Sequence, residues 1–229
     1  MIRPLLALLA MSLALATQAE SATWEAGKHY TVLPQAQRTQ VGPGKVEVME
    51  VFSYGCPACD RFQPTMAKLK AALPPNAKMV YLPASWQAAE NWPTFQRAFL
   101  TAQSLGVAEK AHDQMFVAIW DTGELGIQEK GTTRLKKTLP NIEDIARFYQ
   151  RVAGTKPTDF VAASKSFSVD LKMRQADAQI IAMKVLSTPT LIVNGKYMVN
   201  NENVQSADDF IALVKFLVAK ESAPAAAKQ

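Results

Sequence analysis

The spacing at which hydrophobic residues recur along the chain changes several times, and each change marks the end of a predicted strand or helix. An apolar run rich in Val and Phe at residues 46–52 predicts a buried strand, and residues 77–83 predict a second one. After the first run, apolar residues recur at helical spacing until Pro74-Pro75 ends the predicted helix. The β-branched run at 190–193 precedes an Asn-Gly pair, which predicts a hairpin.

The residues between the second strand and the hairpin have helical periodicity and little strand character. Their apolar stripes are typical of helix faces that pack into a core. Trp86 and Trp92 open this stretch, where they either line a cleft that faces Cys56 or anchor the helices. A closing helix is predicted at 207–220. The helices predicted within the stretch cover residues 93–106, 111–120, 142–152 and 169–186. An all-helical stretch that interrupts an α/β pattern predicts an α/β fold with an inserted helical domain.

The N-terminal residues have the layout of a secretory signal peptide. Arg3 precedes an uncharged run rich in Leu and Ala at 5–16, and small residues at 17 and 19 precede a possible cleavage point. The apolar run is too short to span a bilayer comfortably. We therefore expect residues 1–19 to be a signal peptide and the mature protein to be soluble and exported to a periplasm. An uncleaved anchor helix is the alternative.

Charge and length exclude some classes of protein. The chain has 229 residues and a net charge of +5, which becomes +4 when the single basic residue of the signal peptide, Arg3, is removed. The basic residues are scattered, so we expect no binding to nucleic acid. The mature length suits one domain, or one domain that carries an insertion. The tail at 222–229 is small and polar, and we expect it to be disordered.

The chain has only two cysteines, Cys56 and Cys59, within the stretch VFSYGCPACD. A metal site, a structural disulfide and a redox couple are the three explanations of this spacing. Structural zinc usually takes four ligands, and the only histidines, His29 and His112, lie far apart. Stabilisation by a disulfide grows with the length of the closed loop, which here is very short. A redox couple without metal or organic cofactor is therefore favoured in an exported protein.

The two cysteines lie where the predicted strand passes into the predicted helix. Unpaired N–H groups and the helix dipole favour negative charge at a helix N-terminus. We therefore expect a Cys56 thiolate of lowered pKa that acts as the nucleophile. Pro57 suits the first helical position, where its missing N–H has no partner to lose. Cys59 lies one turn further in, better buried, and suits the resolving role.

Three separate motifs resemble those of the DsbA-like thiol:disulfide oxidoreductases of the thioredoxin superfamily. They are WEAGKHYTVL at 24–33, EVFSYGCPACDRFQP at 50–64 and STPTLIVNGKY at 187–197. The resemblance covers most of the mature chain and implies a thioredoxin fold with an inserted helical domain. It implies a thioredoxin-like domain of residues 20–85 and 187–221, and an insertion of residues 86–186.

The resemblance also implies roles for residues outside the cysteine pair. Glu50 is implied to be a buried acid beneath the redox pair that modulates proton transfer to Cys59; from the residues alone, a charge that faces water on an edge strand is the alternative. Thr188 and Pro189 are implied to form a cis-proline loop that packs against the cysteines and pairs with an extended substrate, although trans is the default for such bonds. Pro64 is implied to bend the active-site helix.

The chain departs from the commonest pattern of this family at two positions. Ala58 stands between the cysteines where many members have histidine, and Gln63 stands where many have glutamate. In the family that histidine stabilises the reduced thiolate, so we expect Ala58 to give a less oxidising disulfide.

The resemblance implies a monomeric periplasmic enzyme that donates its disulfide to thiol-bearing, unfolded, newly exported proteins. Its implied partner for reoxidation is a DsbB-like, quinone-linked membrane protein. A thiol reductase or isomerase that operates in the reduced form is one alternative, which the missing histidine favours. A peptide-binding chaperone with an incidental disulfide is the other.

Overall fold

The computed structural model describes residues 24–222, and the strands of that part form one five-stranded sheet in the order β1-β5-β4-β2-β3. The strands are β1 (Tyr30–Val32), β2 (Val46–Phe52), β3 (Ala77–Pro83), β4 (Thr190–Val193) and β5 (Tyr197–Val199). Strands β2 and β3 are parallel, and the other neighbouring pairs are antiparallel. The predicted signal peptide and the residues beyond Ser222 lie outside the described residues. Ser222, which is predicted to begin a disordered tail, is instead the last residue of the C-terminal helix.

Strand β2 lies inside the sheet, between β4 and β3, and all of its residues are buried. A strand that is covered on both faces reads as a nearly continuous apolar run, which is why the sequence predicts it well. Glu50 lies within this strand, so the alternative of a water-facing charge on an edge strand is wrong.

Helices cover both faces of the sheet. α1 (Pro57–Ala72) follows β2 and packs with the C-terminal α7 (Ala207–Ser222) over one face, where Val48, Leu69 and Leu213 share a core. The helical insertion covers the other face, where Met49, Phe95 and Phe148 are buried in a second core. Its helices are α2 (Trp92–Ser104), α3 (Ala108–Phe116), α4 (Ile142–Ala153), α5 (Pro157–Ser164) and α6 (Phe167–Ala182). The α/β architecture with a helical segment between β3 and β4 confirms the predicted fold class, whereas the domain boundaries stay a prediction.

Two predicted helices end earlier than their apolar periodicity indicates. The helix predicted at 169–186 ends at Ala182, because Lys184 adopts a left-handed φ of 56° that no helix continues through. The helix predicted at 111–120 ends at Phe116 and passes into a π-helical turn at Val117–Asp121.

Two short elements carry no recognisable pattern in the sequence. Helix α5 has only eight residues, and β1 has three. Elements of this length offer too few positions for a period to be recognised. Among the described helices, none combines the length and apolar character needed to cross a membrane.

Candidate active site

The cysteines lie at the junction of β2 and α1. Residues 53–56, here called the redox turn, connect the strand to the helix, and Cys56 is the N-cap of α1 with extended backbone angles (φ −90°, ψ 114°). Its Sγ atom accepts a hydrogen bond from the backbone N–H of Cys59 at 3.4 Å. Pro57 occupies the first turn of the helix, as predicted. A sulfur in the N-cap position meets the free N–H groups of the helix terminus, which favour its ionised form.

The two thiols are unbridged and differ in access to solvent. Cys59 is fully buried, whereas Cys56 retains 6% exposure. The small exposed fraction of Cys56 reflects the loop that carries Thr188, which lies against its sulfur. A substrate thiol that approaches from solvent meets Cys56 first.

The surroundings of the two sulfurs move their pKa values in opposite directions. Hydrogen bonds that the Cys56 sulfur accepts from the Cys59 thiol, from the Thr188 side chain and from the backbone amides of Cys59 and Ala58 lower the pKa of Cys56 to about 6 against the effect of burial. Burial raises the pKa of Cys59 well above its ordinary value, and the negative charges of Cys56 and Glu50 add to this. At neutral pH Cys56 is therefore a thiolate and Cys59 a thiol.

The loop before β4 lies against the redox pair. Its Thr188-Pro189 peptide bond is cis, which confirms the prediction made from the family resemblance. The carbonyl oxygen of Thr188 lies 3.6 Å from the Cys56 Sγ atom, close enough to accept a hydrogen bond from the thiol form. The side-chain amide of Asn201 donates to the Pro189 carbonyl at 3.1 Å and holds the loop from its other side.

Glu50 is a fully buried carboxyl group, and within residues 24–222 neither of its carboxyl oxygens has a hydrogen-bond partner. Burial raises its pKa to about 8, with smaller contributions from the negative charges of Asp113 and Cys56. Most Glu50 side chains therefore carry a proton at neutral pH. A protonated acid that interacts with Cys59 suits the predicted role in proton transfer, which stays a prediction.

The two positions that depart from the family pattern have different surroundings. Ala58 is half-buried, and only its backbone N–H contributes to the pKa of Cys56. Gln63 donates its side-chain amide to the Cys59 carbonyl at 3.2 Å, a contact that a carboxylate could not make. Pro64 lies inside α1, as predicted.

The sequence does not predict the contacts that hold Tyr54 of the redox turn, which come from His112 and Trp120. Tyr54 is 1% exposed, and its hydroxyl oxygen shares a hydrogen bond of 3.0 Å with His112 Nδ1. Its backbone carbonyl accepts a hydrogen bond from Trp120 Nε1 at 2.9 Å. Burial lowers the pKa of His112 to about 3, so this imidazole is neutral. No local signal marks His112 or Trp120, since each is more than fifty residues from the turn in sequence.

Of the two tryptophans that open the insertion, Trp92 is an anchor. It is 4% exposed, and its indole N–H donates to Glu90 at 3.1 Å. Its ring lies so near Gly55 that a Cβ there would stand 2.7 Å from it. Trp86 remains 41% exposed, with its ring centroid 5.5 Å from that of Trp92.

Within residues 24–222, no group of three or more His, Cys, Asp or Glu side chains is placed to hold a metal ion. The site itself combines a stabilised Cys56 thiolate, the buried Cys59 thiol, a buried acid and a cis-proline loop. Together with the fold, this arrangement defines a thiol:disulfide oxidoreductase of the thioredoxin fold.

Comparison with known proteins agrees with this class. A family model described as thioredoxin matches residues 43–215. The chain is 31% identical over 221 residues to the thiol:disulfide interchange protein DsbA of Pseudomonas aeruginosa, across 96% of this chain and 97% of that protein. It is 32% identical over 203 residues to the DsbA of Pseudomonas syringae pv. tomato, across 89% and 87%. The chain belongs to the thioredoxin family and, within it, to the DsbA thiol:disulfide interchange proteins.

Solved structures agree as well. The oxidoreductase DsbA from Xylella fastidiosa superposes with a TM-score of 0.74 at 30% identity, covering 87% of this chain and 98% of that chain. The crystal structure of Pseudomonas aeruginosa DsbA gives a TM-score of 0.72 at 32% identity, with 90% and 97% covered.

Proposed function

We propose that this protein is a periplasmic oxidant that donates a Cys56–Cys59 disulfide to pairs of thiols in newly exported, unfolded proteins. The observation that carries the proposal is the asymmetry of the two sulfurs. Cys56 is the more accessible one and has a lowered pKa of about 6, whereas the pKa of Cys59 is raised. A disulfide whose reduced form contains a stabilised thiolate is readily reduced, and therefore oxidises other thiols.

The first step is attack by a substrate thiolate on Cys56 of the oxidised enzyme. A bond forms between the substrate sulfur and Cys56 Sγ, and the bond between the two enzyme sulfurs breaks. Cys59 leaves as a thiolate with the electron pair. Because the raised pKa of Cys59 favours its thiol form, that sulfur takes up a proton, for which protonated Glu50 is the proposed donor.

The second step releases the oxidised substrate. A second substrate thiolate attacks the substrate sulfur of the mixed disulfide, and Cys56 leaves as a thiolate. The Cys59 amide and the helix terminus stabilise this leaving group. The carbonyl of Thr188, close to Cys56, is the proposed contact for the substrate backbone. The substrate ends with a disulfide and the enzyme with a dithiol, so two electrons have moved to the enzyme.

The reaction needs an acceptor for those electrons before the enzyme can act again. We propose a DsbB-like, quinone-linked membrane protein as this partner. We also propose that residues 1–19 direct export to the periplasm and that the enzyme acts as a monomer. Sedimentation of the mature protein tests the monomeric state. Co-expression with a DsbB-like protein tests the reoxidation, and fractionation of the cells tests the export.

The deciding experiment mixes the oxidised enzyme with a reduced, unfolded protein that has two thiols. Thiols lost from the substrate should equal thiols gained by the enzyme. Cys56→Ser should abolish the exchange. Cys59→Ser in its thiol form, mixed instead with the disulfide-bonded substrate, should accumulate a mixed disulfide, because Cys56 attacks the substrate disulfide, one substrate sulfur leaves as a thiolate and no resolving thiol releases the other. Preferential reduction of substrate disulfides by the dithiol form would instead favour the reductase alternative. If the wild type oxidises no thiols, and both it and Cys56→Ser suppress aggregation of the substrate, the chaperone alternative is favoured.

A further inference from the structure

The redox turn is a β-turn whose geometry is defined by its own backbone. The Cys56 N–H donates to the Ser53 carbonyl at 3.1 Å, which places the Tyr54-Gly55 peptide at the centre of the turn. Neither central residue has a positive φ. A type II turn requires a positive φ at its second central residue, so this turn has the other orientation of the central peptide, as in type I.

The amino-acid sequence does not by itself select this orientation. Glycine at the second central position is the residue that a type II turn prefers, and it is also compatible with type I. The two turn types differ by a rotation of the central peptide, which exchanges the sides of its C=O and N–H groups. The residues of the turn therefore permit both forms, and contacts from outside the turn must decide between them.

Both polar groups of the central peptide are hydrogen-bonded in the observed form. The Tyr54 carbonyl accepts from Trp120 Nε1 at 2.9 Å, and the Gly55 N–H donates to Ser53 Oγ at 3.2 Å. Rotation of the peptide would break both hydrogen bonds inside a buried site, where a polar group without a partner destabilises the fold. Trp120 belongs to the π-helical turn that follows α3, so its contribution comes from the helical insertion.

The side chains around the peptide strengthen the same orientation. The Tyr54 hydroxyl is held by His112 at 3.0 Å, and the turn lies against Glu90 and Trp92 at Gly55. The only direct hydrogen bond from the insertion to the central peptide itself, among the described residues, is that of Trp120.

We propose that Trp120 is a positioning residue for thiol:disulfide exchange, which holds the Tyr54-Gly55 peptide in one orientation and thereby fixes the N-terminus of α1 around the Cys56 sulfur. The peptide is next to Cys56 in the chain, and each peptide carries a dipole of about 3.5 D. The amide that donates to the Cys56 sulfur belongs to Cys59 in the first turn of α1, so a redox turn that samples both orientations would hold this helix terminus in place for only part of the time. This role for Trp120 rests on the proposed function, because it assumes that the protein carries out thiol:disulfide exchange.

The test replaces Trp120 by phenylalanine, which keeps an aromatic ring and removes the N–H donor. Trp24→Phe is the matched control, because it makes the same change in the N-terminal segment, where Trp24 packs against His29. Trp120→Phe should shift the glutathione equilibrium constant by roughly three- to tenfold towards the disulfide, tenfold being about 30 mV. It should also raise the pH at which the Cys56 thiolate forms, measured by ultraviolet absorbance, and change the Gly55 amide shift in nuclear magnetic resonance spectra. Trp24→Phe should change none of these.

A second variant, Ser53→Ala, removes the other bond to the same peptide without touching the insertion. It should shift the equilibrium constant in the same direction, and the double variant should differ from the sum of the two single effects, since both bonds hold one group. A Trp120→Phe protein that is less resistant to urea but has unchanged equilibrium constant, titration and Gly55 shift would overturn the proposal. Additive effects would overturn it too. Failure of the wild type to oxidise substrate counts against the proposed function alone, because the Gly55 shift reports the turn directly.

Discussion

The backbone amide of Cys59 donates a hydrogen bond of 3.4 Å to the Sγ atom of Cys56, so the segment that carries the resolving cysteine also stabilises the nucleophile. The two residues are one helical turn apart, and this spacing lets one sulfur sit at the N-cap while the other is buried beneath it. The pKa difference between the sulfurs follows from that arrangement.

Brief treatment of the reduced protein with iodoacetamide should label Cys56 and leave Cys59 unmodified. The rate of labelling should rise with pH and reach half of its maximum near the lowered Cys56 pKa of about 6, since only the thiolate reacts. Mass spectrometry of the peptides locates the label, and unfolding in urea should make Cys59 reactive as a control. Equal labelling of the folded protein at both positions would reverse the assigned roles.

Glu50→Gln should stabilise the reduced protein, in which both thiols are free, more at pH 8 than at pH 4. The carboxyl has a pKa of 4.5 when unfolded and about 8 when folded, so the unfolded state ionises first as the pH rises. Wild-type stability therefore falls between these values by up to roughly 1.4 kcal/mol per pH unit and is level above them. The variant lacks this loss, and we expect it to gain on the order of 4 kcal/mol at pH 8. Urea unfolding at pH 4, 6 and 8 measures the difference, and parallel curves for the two proteins would contradict it.

The same variant should slow the protonation of Cys59. Glu47→Gln is the control, because Glu47 is also buried in β2 but points to the opposite face, where Gln40 N–H donates to it. In rapid-mixing measurements of the first exchange step, Glu50→Gln should lower the rate and Glu47→Gln should not.

Ala58→His should raise the reduction potential by tens of millivolts. A histidine between the cysteines places a polarisable donor near the Cys56 thiolate, and about 30 mV corresponds to roughly 1.4 kcal/mol for a two-electron couple. Equilibration with glutathione buffers gives the potential, and thiolate absorbance against pH should show a lower Cys56 pKa. Ala58→Gln, which adds bulk without charge, should have a smaller effect. An unchanged potential in Ala58→His would mean that the turn and the helix terminus alone determine it.

Gly55→Ala should destabilise the fold by roughly 1–3 kcal/mol, the range for forcing extra atoms into a packed site. The new Cβ would stand 2.7 Å from the Glu90 carbonyl oxygen and from the Trp92 ring, and a backbone oxygen cannot turn aside. Gly42→Ala is the control, because no atom lies within 4 Å of a Cβ there. Urea unfolding should separate the two variants clearly, and similar midpoints would show that the turn has room to move.

The sequence predicts those features that depend on neighbouring residues. Strand β2 is buried throughout and, apart from Glu47 and Glu50, apolar, because both of its faces are covered. The helix signal that follows it places Cys56 at an N-terminus. The family resemblance adds the cis Thr188-Pro189 bond and the burial of Glu50, neither of which a local pattern reveals.

Local sequence patterns do not predict contacts between residues that are far apart in the chain. Trp120 reaches Tyr54 across 66 residues, and an apolar helical stripe gives no sign that one of its members donates to a turn in another part of the fold. Helix ends are also set by tertiary packing, as Lys184 shows where the periodic pattern runs past the true end of α6. Sequence periodicity describes which face is buried but not what it is buried against.

The neighbours of β2 become available at very different times. Strand β3 follows after α1 alone, so a parallel β2-α1-β3 unit can form early. Strand β4, whose Leu191 lies opposite Glu50, comes only after the entire helical insertion. Contacts across such long stretches of chain are slow to form. Because the chain is made from its N-terminus, the edge of β2 that will pair with β4 has no partner strand until synthesis is nearly complete. During that interval this edge can form β-sheet hydrogen bonds with other chains.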